Sequence, residues 1–231
     1  MRALLAALLL AATSALASAA PATITAEYEL TNHGIRIGRV SETYVRKGDT
    51  YSIQSVTRSE GPLKLFLDDQ LTVESAGTVS PEGLKPMRFT QRREKDPKRD
   101  IDASFDWGRG LLVSRFRGET HEVALLPQTQ DRLSFMYQFM NVTPRAGPMS
   151  LVMSNGRKVE RYTYRLVSEA RLATPAGEFD TLHFERVVES PKESRAEVWL
   201  ARDRFNFPVR VVFDDPRGLR VEQTLLSLQA R

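Results

Sequence analysis

Apolar and polar residues alternate along most of this chain with a period of two. In "TITAEYELTN" Ile24, Ala26, Tyr28 and Leu30 point one way, while Thr25, Glu27 and Glu29 point the other. "YSIQSVTR" repeats the pattern from Tyr51. The same alternation predicts further strands at 35–46, 70–79, 86–94, 98–107, 111–117, 120–125, 149–154, 157–168, 178–189, 194–201, 207–214 and 219–229. One apolar face per strand marks an antiparallel sheet packed on one side and wet on the other. Between the strands, "RKGDT", "SNGR", "PAGE" and "DPRG" supply the Gly, Asn, Asp and Pro that tight turns require. "KDPK" at 95–98 should be an exposed hairpin tip. With no internal repeat and no linker, the expected fold is mainly β. It is a single large antiparallel sheet or open β-barrel, strongly curved because long twisted sheets coil.

Two stretches break the alternation. In "GPLKLFLDD" (61–69) Pro62 suits the first position of a helical turn, although Leu63, Leu65 and Leu67 also fit a strand; the helical turn is the expectation. In "LPQTQDRLSFMYQFM" (126–140) an acidic residue precedes an almost wholly apolar run. Asp131 reads as the N-cap of a short helix over about 131–141, with Ser134 three residues on. Leu133, Met136, Tyr137 and Met140 follow at i, i+3, i+4, i+7 spacing, Phe135 and Phe139 form a second stripe, and Pro144 ends the element. A helix this apolar must be nearly enclosed, and a curved sheet with the helix across its apolar concave face is one architecture that does so. The helix either fills that face or covers a cavity, in which case Leu133, Met136, Tyr137 and Met140 are the residues that would line a ligand site.

The N-terminus changes the picture of where the protein works. "MRALLAALLLAATSALASAA" has Arg2, an apolar run from Ala3 to Ala12, and small residues at Ala15, Ala17 and Ala19. That is a secretory signal with cleavage after Ala17 or Ala19, the latter preferred because Pro21 then becomes the second mature residue. The run is shorter than the roughly 20 apolar residues of a membrane span and is interrupted by Ser and Thr. The expected organisation is therefore a cleaved signal over 1–19 and one β-rich periplasmic domain over 20–231, with no transmembrane segment left in it. The absence of cysteine excludes disulfides, thiol catalysis, cysteine-ligated metals and a lipid on an N-terminal Cys.

Charge adds little. Lys and Arg number 33 against 29 acidic residues, for a net +4, and the two signs are interspersed. A nucleic-acid partner would call for a basic stripe with interleaved aromatics, which is missing. Catalytic chemistry finds no constellation either. Asp131 has neither a second carboxylate nor a His nearby in sequence, and a cap worth about 1 kcal/mol accounts for it. His33, His121 and His183 show no metal-ligand spacing, and His183, in alternation with Phe179, Thr181 and Glu185, reads as a strand-surface histidine. Asp68–Asp69 and Asp214–Asp215 sit beside turns outside any calcium loop pattern. There is no G-x-S-x-G elbow, serine–lysine motif or phosphate-cradling glycine loop. The sequence points to no catalytic residues, cofactor or metal, and to a protein that is not an enzyme.

Five segments carry a resemblance. "GPLKLFLDD…VESAGTVSPEGLKPMRF", "DASFDW", "LLPQTQDRLSFMYQF", "LATPAGEFDTLHFER" and "EVWLARDRFNFPVRVVFDDPRGLRVEQTLLSL" together resemble the exported bacterial family called domain of unknown function 3108, over roughly Ile24 to Leu228. The most specific pieces are Gln130-Asp131 with Leu133-Ser134, Thr174-Pro175-x-Gly177, Trp199-Leu200 and Phe207-Pro208-Val209. That family implies no activity and no catalytic residues. More remotely, the last segment is similar to the C-terminal hairpin of the periplasmic lipoprotein-carrier fold, an open barrel with a helix on its concave face. The resemblance implies a fold, not a function. Together these features lead to the expectation of a non-catalytic periplasmic protein that binds or shields an apolar envelope component such as a lipid or acyl chain. The alternative is an envelope scaffold or protein-interaction module without a small ligand.

Overall fold

The computed structural model describes residues 21–61, 69–141 and 147–231. The signal segment, both cleavage options and positions 62–68 of the expected helical turn lie outside the described residues. Fifteen strands form one sheet: β1 (Thr23–Asn32), β2 (Ile35–Lys47), β3 (Thr50–Ser59), β4 (Gln70–Ser80), β5 (Gly83–Arg93), β6 (Ile101–Asp106), β7 (Leu111–Phe116), β8 (Glu119–Ala124), β9 (Gln130–Asp131), β10 (Pro148–Ser154), β11 (Val159–Thr174), β12 (Gly177–Arg186), β13 (Arg195–Ala201), β14 (Phe207–Asp214) and β15 (Arg220–Ala230). Alternation found nearly all of them. Three differences have physical causes. Pro97–Arg99 forms an exposed 3-10 turn, so β6 starts at Ile101 rather than 98. β11 continues to Thr174 because its second half pairs with β12, although residues 167–171 are exposed and show no apolar face to read. β9 has only two residues and owes its existence to a parallel pairing of Gln130 and Asp131 with Met153 and Ser154.

The chain is two meanders joined at their outer strands. Sheet order runs from β8 down to β1, then β15 down to β9, so that β1 pairs with β15 from Ile24↔Ala230 to Asn32↔Val221. β8 and β9 are the two edges and do not pair with each other, so the barrel stays open. The chain crosses between them through Leu125–Thr129, which spans no more than about 20 Å. The two halves also touch across the interior. A side chain at Gly156, in the turn between β10 and β11, would meet Ile101 Cγ2 at 2.7 Å and the Phe89 ring at 3.3 Å.

Inside this curve lies α1 (Ser134–Gln138). It is shorter than the expected 131–141 because Gln130 and Asp131 are drawn into β9, and because beyond Gln138 the chain tightens into i→i+3 turns. There the Met140 N–H reaches Tyr137 O at 3.1 Å and the Asn141 N–H reaches Gln138 O at 2.9 Å. The helix divides the core in two. Leu133 and Tyr137 pack with Ile24, Tyr28, Tyr44, Phe89 and Phe207, and Phe135 and Phe139 pack with Tyr164, Phe184, Val198 and Leu200. The two stripes read from helical spacing follow these two contact faces, except that Met136 packs against both. Among the described residues no helix is long and apolar enough to cross a membrane.

Candidate functional site

The barrel interior around α1 is the first candidate. Of the four residues expected to line a site, Leu133 and Tyr137 are buried and Met136 and Met140 are partly so. An aromatic chain crosses the interior through this helix. Tyr51 lies 6.5 Å from Tyr44, Tyr44 stacks at 5.3 Å on Tyr137, and Tyr137 meets Phe207 edge-on at 5.8 Å. On the other side Phe139 packs 6.4 Å from both Tyr164 and Phe184.

Polar groups hold the helix at both ends. Asp131 is fully buried, and its Oδ1 accepts the N–H groups of Leu133 (2.9 Å) and Ser134 (2.7 Å), so it caps the helix. Its Oδ2 accepts the Ser75 hydroxyl at 2.5 Å, which leaves Tyr51 to donate to Ser75 at 3.0 Å. Farther along, Tyr137 donates to Glu42 Oε2 at 3.0 Å, while Ser55 donates to Glu42 Oε1 at 3.1 Å. Gln138 clasps the start of β5: its Oε1 accepts the Leu84 N–H at 2.7 Å and its Nε2 donates to Glu82 O at 3.0 Å. Burial pushes both carboxyls above their ordinary range. For Glu42 the Tyr137 and Ser55 hydroxyls offset it only in part, and for Asp131 the Ser75 hydroxyl and the two amides do the same.

Sequence reasoning found Asp131 and its role but missed Glu42, Ser55, Ser75 and Gln138. A signal was present for three of them. Glu42 falls in alternation with Val40 and Tyr44, Ser55 with Tyr51 and Ile53, and Ser75 with Val73, so each is a polar residue on an inward face.

The free space here is small. A cavity of about 160 Å³ is lined by Leu133, Met136, Tyr137, Tyr28, Glu42 and Pro208 among others, with the exposed Arg132 at its rim. A second hollow of about 240 Å³ opens near Trp107, Leu84 and Gln138. A larger one, about 850 Å³, is an open trough between the turns at 96–100 and 115–118, where Lys98, Arg99, Arg115 and Arg117 mix with Asp96, Asp100 and Asp102.

The acidic pairs of the sequence are occupied by arginine and backbone. Asp69 takes Arg93 at 3.1 Å and the Lys95 N–H at 3.1 Å, Asp214 takes Arg220 at 2.6 Å, and Asp215 takes Arg217 at 2.9 Å. Asp68 lies outside the described residues. His33 sits in the β1–β2 turn with Nε2 3.2 Å from Gly218 O, and His121 is near Glu119 at 3.7 Å. His183 differs. On the outer face of β12 its Nε2 lies 2.9 Å from Glu197 Oε2, and its ring stacks on Trp199 at 3.9 Å.

No curated protein matches the chain. Among solved structures it is similar to a β-barrel-like protein of domain of unknown function DUF1849 from Brucella abortus. The TM-score is 0.58 at 14% identity, over 92% of this chain and 99% of that one. That likeness supports the fold alone. Matches to a candidate lipoprotein from Parabacteroides distasonis (10% identity, 90% and 95% of the two chains, TM-score 0.38) and to a candidate exported protein of YmcC-like fold from Bacteroides fragilis (11%, 90% and 96%, 0.32) are too distant to argue from. The family described as protein of unknown function (DUF3108) matches residues 25–224, and the chain belongs to that family.

Proposed function

We propose that this is a non-catalytic module of the cell envelope that works from its outer surface, its interior serving as a permanent core. The observation that carries this reading is the grip on α1, which packs against both halves of the core and is tied by Asp131, Glu42 and Gln138. The space left beside it, about 160 Å³, compares with the roughly 150 Å³ apolar cavity that admits benzene. About six carbons at ~0.8 kcal/mol each contribute on the order of 5 kcal/mol. Association costs of at least about 4 kcal/mol consume most of that. A whole acyl chain does not fit without moving the helix, and a chain end alone would bind weakly. The envelope setting rests on the signal-like N-terminus. The test is to purify the mature protein from its native envelope without detergent and weigh it by native mass spectrometry. A bare mass, with no uptake of added fatty acid or phospholipid, is expected; co-purified lipid that leaves on organic extraction would overturn the reading.

One observation favours a second reading, that of a carrier or sensor for an acyl chain. Leu133, Met136 and Tyr137 do border the cavity, and Met136 is an adaptable wall for varied apolar shapes. On that reading α1 lifts, and Leu133, Met136, Tyr137 and Met140 line the enlarged space. Met136→Phe, which fills the cavity, should then abolish lipid uptake while leaving the fold intact. Unchanged uptake in that variant would remove these residues from the site.

A further inference from the structure

We propose that His183, Glu185 and Glu197 form a divalent-metal site on the outer face of β12 and β13, suited to Zn²⁺ and, more tightly, to Cu²⁺. The ligand atoms of the three residues lie within 4.8 Å of one another. The register brings them together: His183 stands opposite Trp199, and Glu185 stands directly opposite Glu197. Two carboxylates placed across adjacent strands repel each other. Arg165 on β11 reaches Glu185 at 3.5 Å, and Glu197 has His183.

The imidazole is held as a ligand would be. Its ring lies nearly parallel to Trp199, at 8° and 3.9 Å between centroids, and Arg210 from β14 stacks on the same indole at 4.8 Å. Nδ1 is 3.5 Å from Ser168 Oγ on β11, and Nε2 is 2.9 Å from Glu197 Oε2. A ring nitrogen and a carboxylate oxygen this close share either a proton or a cation. With the proton on Nδ1, facing Ser168, the Nε2 lone pair points at the carboxylates, and Ser168 becomes the outer partner that fixes the tautomer. The His183 side chain is 14% exposed and that of Glu197 27%, so the donors are sheltered without being sealed. A surface hollow of about 310 Å³, lined by Glu185 and Glu197 together with Arg165, Arg186 and Arg195, leaves room for water to complete the coordination.

The donor set chooses the metal. One imidazole and two carboxylates, without a thiolate, suit Zn²⁺, Ni²⁺ and Cu²⁺, whereas Ca²⁺ and Mg²⁺ prefer oxygen ligands alone. Sequence spacing could not show the site, because Glu197 comes from the next strand and only the register places it beside His183.

The test titrates metal-stripped mature protein with Zn²⁺ by calorimetry and with Cu²⁺ by tryptophan fluorescence. One equivalent should bind, and Cu²⁺ should quench the Trp199 contribution while leaving that of Trp107. His183→Gln and Glu197→Gln should each weaken binding by about 100-fold or more, and Ser168→Ala by about 10-fold. Arg165→Gln, which removes the competing cation from Glu185, should tighten it. These residues lie on the wet face of the sheet, so each variant is checked for an unchanged unfolding midpoint in the absence of metal. Absence of saturable uptake, or uptake that survives both His183→Gln and Glu197→Gln, would overturn the proposal.

Discussion

Glu42 and Asp131 are buried carboxyls that, among the described residues, have no cation in hydrogen-bonding contact and are held by hydroxyl or amide donors. Their pKa values are raised by burial, so the folded protein keeps these protons to a higher pH than the unfolded chain, where a Glu titrates near about 4.3 and an Asp near about 3.9. Between the unfolded and the folded pKa the native state binds more protons. The stability these two groups contribute is therefore greatest in mild acid and is lost as pH rises through that window. Glu42→Gln should gain on the wild type as pH rises from about 4.5 to about 7, measured as the difference between their unfolding midpoints. A difference that stays flat would mean that Glu42 titrates as an ordinary carboxyl. Asp131→Ala should cost about 3 kcal/mol in chemical denaturation, because it strands two buried amides and the Ser75 hydroxyl. Asp131→Asn retains an acceptor for the amides and should cost clearly less. Asp131 was legible as a cap because capping is local in sequence. Glu42 was not assigned a role, because its partner Tyr137 is 95 residues away.

At the scale of elements, α1 shows how far pattern carries. Helical spacing separated Leu133, Met136, Tyr137 and Met140 from Phe135 and Phe139, and those stripes face different parts of the core, with Met136 touching both. The helix bounds were less readable, since Gln130 and Asp131 belong to a strand whose pairing depends on Met153 and Ser154. Phe139→Ala should destabilise by about 3–5 kcal/mol, because the ring is buried among Phe135, Tyr164 and Phe184 and its removal leaves a void. Gly83→Ala tests the clasp between helix and sheet. Gly83 has φ +107°, and an added Cβ would run into the Gln138 amide that holds Leu84. That variant should lose stability, and its Leu84 amide should exchange with deuterium faster than in the wild type. Strand positions were legible because burial imposes alternation. β11 beyond residue 168 was not, because residues 168–171 are exposed.

For the whole molecule, the closing contact is the seam between β1 and β15. The Thr23 N–H reaches Arg231 O at 2.9 Å and the Arg231 N–H reaches Thr23 O at 2.9 Å, so the described ends of the sheet meet. Removing residues 220–231 would leave β1 and β14 as bare edges, take Leu225 out of the core and uncover its neighbours there. The truncated chain should fail to unfold in a single cooperative transition and should bind a dye for exposed apolar surface. The open sheet was legible from strand count and twist, but the seam was not, because nothing local in either strand names its partner. It also sets a timetable for the molecule. A chain that leaves a ribosome or a translocation pore from its N-terminus makes β1 early and β15 some 200 residues later. At about 5–20 residues per second, the first strand waits 10 s or more for its neighbour. Through that interval β1 offers an unpaired edge backed by Ile24, Ala26 and Tyr28, the kind of template on which nascent chains stick to one another. Covering that edge until β15 arrives would keep newborn chains from pairing with one another.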